Sequence, residues 1–74
     1  MFTATHQKES EPTVLLLVGP DAHGHWLVQE DHGALEGSFV SREAALRFAR
    51  WERHAYPSAR IALSEGPLVS RLAA

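Results

Sequence analysis

Three histidines set close in the sequence are the residues of this chain best suited to chemistry. His23, His25 and His32 carry imidazoles, which in their neutral form bind zinc at about 2.0–2.1 Å. His23 and His25 flank Gly24, so a curled turn could bring two ring nitrogens together, with His32 or Asp21 as a further ligand. The spacing matches no established zinc pattern, and histidines of this kind also sit at exposed turns with no ligand. A second group is cationic. Arg47, Arg50 and Arg53 recur every three residues and are followed by His54, which on a helix makes a basic stripe able to meet phosphate oxygens. The ordinary alternative is a solvated face supported by Glu43, four residues before Arg47.

Nothing in the chain points to catalysis. Residues 19–24 are bounded by glycines, but they lead into a strand pattern rather than a helix N-terminus, so they lack the geometry that cradles phosphate. Serine, histidine and aspartate co-occur without the spacing of a nucleophile beside its base. The expectation is a non-catalytic protein with no catalytic residue and no cofactor.

Size and charge then bound what can position such groups. Seventy-four residues make one domain with a marginal core, since chains of about 60 residues bury only roughly 60% of their unfolded surface. With no cysteine, reinforcement by disulfides is excluded, which leaves a metal or a partner. The net charge of −2 is unevenly spread: residues 1–41 hold one lysine against six acids, and residues 42–74 hold six arginines against three glutamates. The halves therefore carry −5 and +3, and surfaces of opposite sign bear on partner choice. Residues 1–12 lack the basic and apolar regions of a signal peptide. The longest aliphatic run, residues 14–18, is far short of the roughly 20 residues that span a bilayer. A cytoplasmic protein without a membrane segment is expected.

The elements follow from periodicity. Residues 1–11 are polar and read as a disordered tail, leaving residues 12–74 as a single α+β domain. Residues 13–18 read as a first strand, ended by the turn residues 19–24. Residues 25–30 alternate with a period of two as a second strand, and Gly33 supplies a second turn. Leu35 and Phe39, separated by Gly37, line a third. Ser41 is a good N-cap, Glu43 stands in the first turn, and nothing breaks a helix before Pro57. Residues 60–64 alternate as a fourth strand, and residues 66–74 form either a short strand or a docked tail. The predicted fold is a three-stranded antiparallel meander with one helix on one face and a short strand after the helix (β-β-β-α-β).

Two features of this layout point outward. Val14-Leu15-Leu16-Leu17-Val18 is apolar on both faces, whereas one helix covers one face only. Either a chain end folds over the second face or the protein forms a homodimer through the sheet, and the dimer is the preferred expectation. On the helix, Ala45, Phe48, Ala49 and Tyr56 share one arc and Arg47, Arg50 and His54 lie opposite. Trp51 stands at the edge of the apolar arc, closing the core or anchoring an interface, with the core preferred. Glu52 falls inside the arc, where it reaches solvent or meets a basic residue of a partner.

The run Gly37-Ser38-Phe39-Val40-Ser41-Arg42-Glu43-Ala44-Ala45-Leu46, with His25-Trp26-Leu27-Val28 before it, resembles small bacterial domains of unknown function. These have a Trp-x-Val strand and a Phe-x-Ser/Thr-x-Glu-Ala-Ala helix start. The resemblance spans residues 13–64 and implies a fold but no activity; Trp51 and Glu52 depart from that pattern. More weakly, the junction is similar to the ethylene-response-factor DNA-binding domain, which implies three strands and a helix. The basic and tryptophan side chains with which that sheet reads DNA are missing here, where Glu30, Asp31 and Glu36 surround a single Trp26.

The sequence thus predicts a small interaction or assembly protein, dimerising through its sheet, with Leu15, Leu17, Leu27, Trp51 and Glu52 as interface candidates and an unidentified protein as a further partner. Two alternatives stand beside it: a nucleic-acid accessory using Arg47, Arg50 and Arg53, disfavoured by the acidic sheet, and a metal-binding domain using His23, His25 and His32.

Overall fold

A computed structural model describes residues 14–33 and 35–72; the expected tail, residues 1–11, lies outside the described residues. One sheet contains β1 (Leu15–Pro20), β2 (Trp26–Glu30), β3 (Glu36–Phe39) and β4 (Arg60–Leu63), and α1 (Arg42–Ala55) joins β3 to β4. The strand order is β3-β2-β1-β4. β1 pairs antiparallel with β2, and β2 with β3. The expectation of an antiparallel sheet is corrected at β4, which adds to the other edge of β1 in parallel, Leu16 opposite Ile61 and Val18 opposite Leu63. The sheet is mixed, and the class is α+β. The cause is the helical crossover. α1 carries the chain back along the sheet, so the strand that follows runs in the direction of β3, and β3 runs in the direction of β1. Parallel neighbours require such a connection.

Local chemistry sets the boundaries. Ser41 is extended (φ −149°) and its Oγ accepts from the Ala44 N–H at 3.1 Å, satisfying one of the free donors of the first turn. Tyr56 leaves helical geometry (φ −128°, ψ 82°) immediately before Pro57. Gly24 and Gly33 hold φ of 88° and 84° in the two hairpin turns, where a side chain would be strained. β1 extends two residues beyond the expected strand, because Gly19 and Pro20 pair with Leu27 and Trp26. The turn starts at Asp21, whose Oδ1 accepts from the N–H groups of His23 and His25, each at 2.8 Å.

The core lies between the sheet and α1. Leu16, Val18 and Val28 meet Ala45 and Ala49, with Ala59 closing one end. The two alanines leave room for the helix to settle on the sheet. The opposite face is covered by residues 64–72, a strap without regular secondary structure, so the docked tail rather than a further strand is what residues 66–72 form. The Leu68 N–H donates to the Pro20 carbonyl at 2.7 Å, Gln29 Nε2 to the Val69 carbonyl at 2.7 Å and Arg71 Nη1 to the Glu30 carbonyl at 2.8 Å. Gly19 permits this approach: a Cβ there would collide with the Ser64 side chain and come within 3.2 Å of Leu68 Cδ1. Beneath the strap Leu27 is 2% exposed and Gln29 3%. The second apolar face of β1, from which a sheet-to-sheet dimer is expected, is therefore covered by the chain itself. A continuous apolar run fits a central strand covered on both sides. No helix among the described residues is long and apolar enough to cross a membrane.

Candidate interaction surface

The expected site residues fall into three separate places. His23 and His25 lie at the β1–β2 turn and His32 at the β2–β3 turn. Five residues of β2 at about 3.3 Å each put those turns roughly 15 Å apart, so the three imidazoles do not converge. At the first turn the Asp21 carboxyl is held below its ordinary value, chiefly by the backbone hydrogen bond from His25, and serves the turn itself. At the second, His32 Nδ1 lies 2.8 Å from Glu30 Oε2 and 3.3 Å from Asp31 Oδ1. The Glu30, Asp31 and His32 ligand atoms all fall within 4.8 Å of one another, but Asp31 also accepts from the Leu15 N–H at 3.3 Å. The cluster is accounted for as the polar closure of a turn.

Leu15 and Leu17 are half-buried on the strap side with the enclosed Leu27, and Glu52 is half-buried on α1. Trp51 departs from the expectation of a core position. It is 70% exposed, its ring centroid 5.5 Å from that of His54. At 100° per residue Trp51 stands well over a quarter-turn from the Ala45–Ala49 line that faces the sheet, and among the described residues no other element packs over it.

Beside Trp51 a groove of about 590 Å³ runs between α1 and the end of β3. Its floor is apolar. Phe39 from β3 and Phe48 from α1 meet with centroids 5.0 Å apart and planes tilted 38°, and Ala44 continues the floor. Its rim is basic, formed by Arg47, Arg50 and His54. A second depression, lined by Arg50, Arg53, His54 and Pro57, continues it around the helix. Arg47, Arg50 and Arg53 are exposed, and among the described residues every ion pair involves histidine rather than arginine. The i,i+4 pair of Glu43 with Arg47 is not among them. Val40, 84% exposed, follows Phe39 at the groove's β3 end.

The groove floor escaped sequence reasoning, although a signal was present. A glycine within a strand marks a close approach, and Gly37 provides it: a Cβ there would lie 2.8 Å from Phe39 Cε2 and 3.6 Å from Phe48 Cε2. The Phe39 ring folds back over Gly37 and gains Phe48 as its neighbour. The strap anchor, Glu36, was also not singled out as a site residue. Its carboxylate accepts from Ser70 Oγ, from the Arg71 N–H at 2.9 Å and from Gln29 Nε2 at 3.1 Å. Burial works against that charge, but the hydrogen bonds of Ser70, Arg71 and Gln29 outweigh it and hold the carboxyl below the ordinary glutamate value.

No family model, curated protein or solved structure matches this chain. The likeness to small bacterial domains of unknown function, and the weaker one to the ethylene-response-factor fold, rest on the strand-to-helix motif and bring no functional residue with them. Function has to be read from the groove.

Proposed function

We propose that this chain is a small, cytoplasmic, non-catalytic interaction module that captures a partner protein on the groove between α1 and β3. The observation that carries this reading is Trp51, 70% exposed over a floor of Phe39 and Phe48 and beside a rim of arginines that form no ion pair among the described residues. Interfaces are enriched in tryptophan and arginine, and their strongest contacts are aromatic anchors surrounded by polar groups that exclude water. The partner is acidic. A two-fold dimer through this groove would bring two copies of the Arg47 and Arg50 rim into one interface, because a two-fold interface uses the same patch twice. A different protein carrying carboxylates meets the rim without that repulsion.

The same arginines favour a second reading, a phosphate backbone. Two features weigh against it. Arg53 and His54 stand in the last turn of α1, where cations offset the helix dipole whatever else they do. Single-strand binders also stack several successive bases on aromatic platforms, whereas Phe39 and Phe48 are half-buried and Trp51 alone is fully open.

The test is a photo-crosslinking residue in place of Val40, 84% exposed at the groove's β3 end, in the full chain in its own cells, compared with the same residue at Arg60 on β4; Trp51 is kept. A discrete protein adduct from position 40, absent from position 60, is expected. Equal labelling from both positions, or none from 40, would remove the proposal.

A further inference from the structure

We infer that the partner segment binds as an added strand on the open edge of β3, sending alternate side chains into the groove and its acids to Arg47 and Arg50. The inference rests on the groove being the binding surface and adds how the ligand lies and what it is made of.

β3 is a sheet edge, and its hydrogen-bonding phase is fixed. The Glu30 N–H donates to the Leu35 carbonyl at 3.0 Å, and Gly37 and Phe39 stand opposite Val28 and Trp26. In an antiparallel ladder, residues whose groups face the partner strand alternate with residues whose groups face away. Leu35, Gly37 and Phe39 thus turn toward β2, and Glu36 and Ser38 turn their N–H and C=O groups to the outer side. Among the described residues those outward groups have no backbone partner. Such an edge is a template for another chain unless something blocks it, and β3 has neither proline nor lysine.

The groove supplies the second half of the recognition. A strand added to β3 projects every other side chain toward the helix side of the sheet, the side on which Phe39, Phe48 and Trp51 form the apolar floor and ledge. From Ala44 to His54 the groove follows eleven residues of α1, ten steps or about 15 Å at 1.5 Å per residue. The four residues of β3 extend about 13 Å. Lengths agree, so one extended segment can pair with the edge and fill the groove together. Strand addition of this kind draws affinity from main-chain bonds and specificity from pockets for alternate side chains. Charge sets the sequence. On the helix side an apolar residue flanked by acids two positions away meets the floor and the two arginines, whereas on the strap side the Glu36 carboxylate repels acids and suits small neutral residues.

The probe is an acetylated, amidated and fluorescently labelled heptapeptide, Thr-Glu-Thr-Leu-Thr-Glu-Thr, titrated into the full chain by anisotropy, with amide shifts of Ser38 and the Trp51 indole as the structural readout. Binding should move both signals. It should weaken tenfold or more when one alternating set of peptide nitrogens is methylated and stay unchanged when the other set is. Replacing both glutamates of the peptide by lysine should abolish it. Ser38→Pro removes an outward N–H and leaves the β2 side of the ladder intact, so it should abolish binding with the thermal midpoint and the β2 amide shifts kept; if it unfolds the chain, the methylated peptides decide alone. Equal effects from both methylated sets, with the Trp51 shift retained, would overturn strand addition and keep the groove as the surface. No binding by any peptide, or tighter and salt-sensitive binding of a labelled oligonucleotide in competition with the probe, would overturn the inference. Failure of the surface itself is read separately, from the position 40 crosslink, which keeps Trp51.

Discussion

The two apolar surfaces outside the main core are treated in opposite ways. On the far side of the sheet, Leu27 is sealed by the chain's own residues 64–72, which are tied down by Glu36, Gln29 and Arg71. Beside α1, Trp51 stands open over the half-buried Phe48 and Phe39, next to arginines that form no ion pair among the described residues. A closed surface with polar anchors contributes to folding, while an open one with unpaired charge contributes little to folding and is available for binding. For a domain whose whole stability is of order 5 kcal/mol, that contrast should be measurable residue by residue.

The severest way to break the comparison is to delete residues 65–74. This uncovers Leu15, Leu17 and Leu27 together, and fully burying a leucine is worth about 1.5–3 kcal/mol. The truncated chain is expected to unfold at ordinary temperature or to self-associate through the bared sheet. Sedimentation velocity and circular dichroism distinguish these outcomes from the one that sinks the idea, a folded monomer of unchanged melting temperature. Next in size is Leu27→Ala, which should cost about 2–4 kcal/mol in urea melts, as for other enclosed leucines. A loss below about 1 kcal/mol would mean that the strap does not pack on this face in solution.

Why one surface was legible in the sequence and the other was not has a physical answer. Helix α1 announces itself through Ser41, Glu43 and Pro57, because capping and ring closure are local effects within a few residues. The hairpin at Gly33 is local in the same way. The direction of β4 is not local. Its four residues alternate identically in either orientation, and only the return of the chain along α1 makes it parallel to β1. The doubly apolar β1 was a true signal of two covered faces, but its composition does not say whether the cover is another molecule or residues 64–72. The strap depends on pairings between Gln29 and Val69, or Glu36 and Arg71, some 35 to 40 residues apart, and polar residues at such separations carry no periodicity. Trp51 was misplaced for a related reason: a bulky aromatic at the margin of an amphipathic arc packs inward only if an element stands beside it, and β3 ends at Phe39, one helical face short.

A gentler perturbation of the closed surface is acid. The Glu36 carboxyl is lowered in the folded chain, so its contribution is fully present above the ordinary glutamate pKa of about 4.3 and is lost as the pH falls through the lower folded value. Protection factors at Leu68 and Arg71, referred to the intrinsic exchange rate at each pH, should therefore fall below about pH 4 before those of the core amides of β1 respond. Glu36→Gln should show the same loosened strap at neutral pH, at a cost of about 1–2 kcal/mol for a hydrogen-bonded charge, and should flatten this part of the acid response. Simultaneous loss of strap and core protection would show that the strap has no separate release.

The smallest expected effect on stability is the most informative about the open surface. Trp51→Ala removes the largest exposed side chain of α1, yet its 70% exposure means that little of it leaves water on folding, and alanine is the better helix former by a few tenths of a kcal/mol. These terms nearly cancel, so the melting midpoint should move by no more than about 0.5 kcal/mol equivalent. Any binding through the groove should fall tenfold or more, since truncating an interface anchor typically costs 2 kcal/mol or above. A loss of stability comparable to that of Leu27→Ala would place Trp51 in the packed interior in solution, and the distinction between the two surfaces would disappear. Unchanged stability together with lost binding would separate them at a single residue.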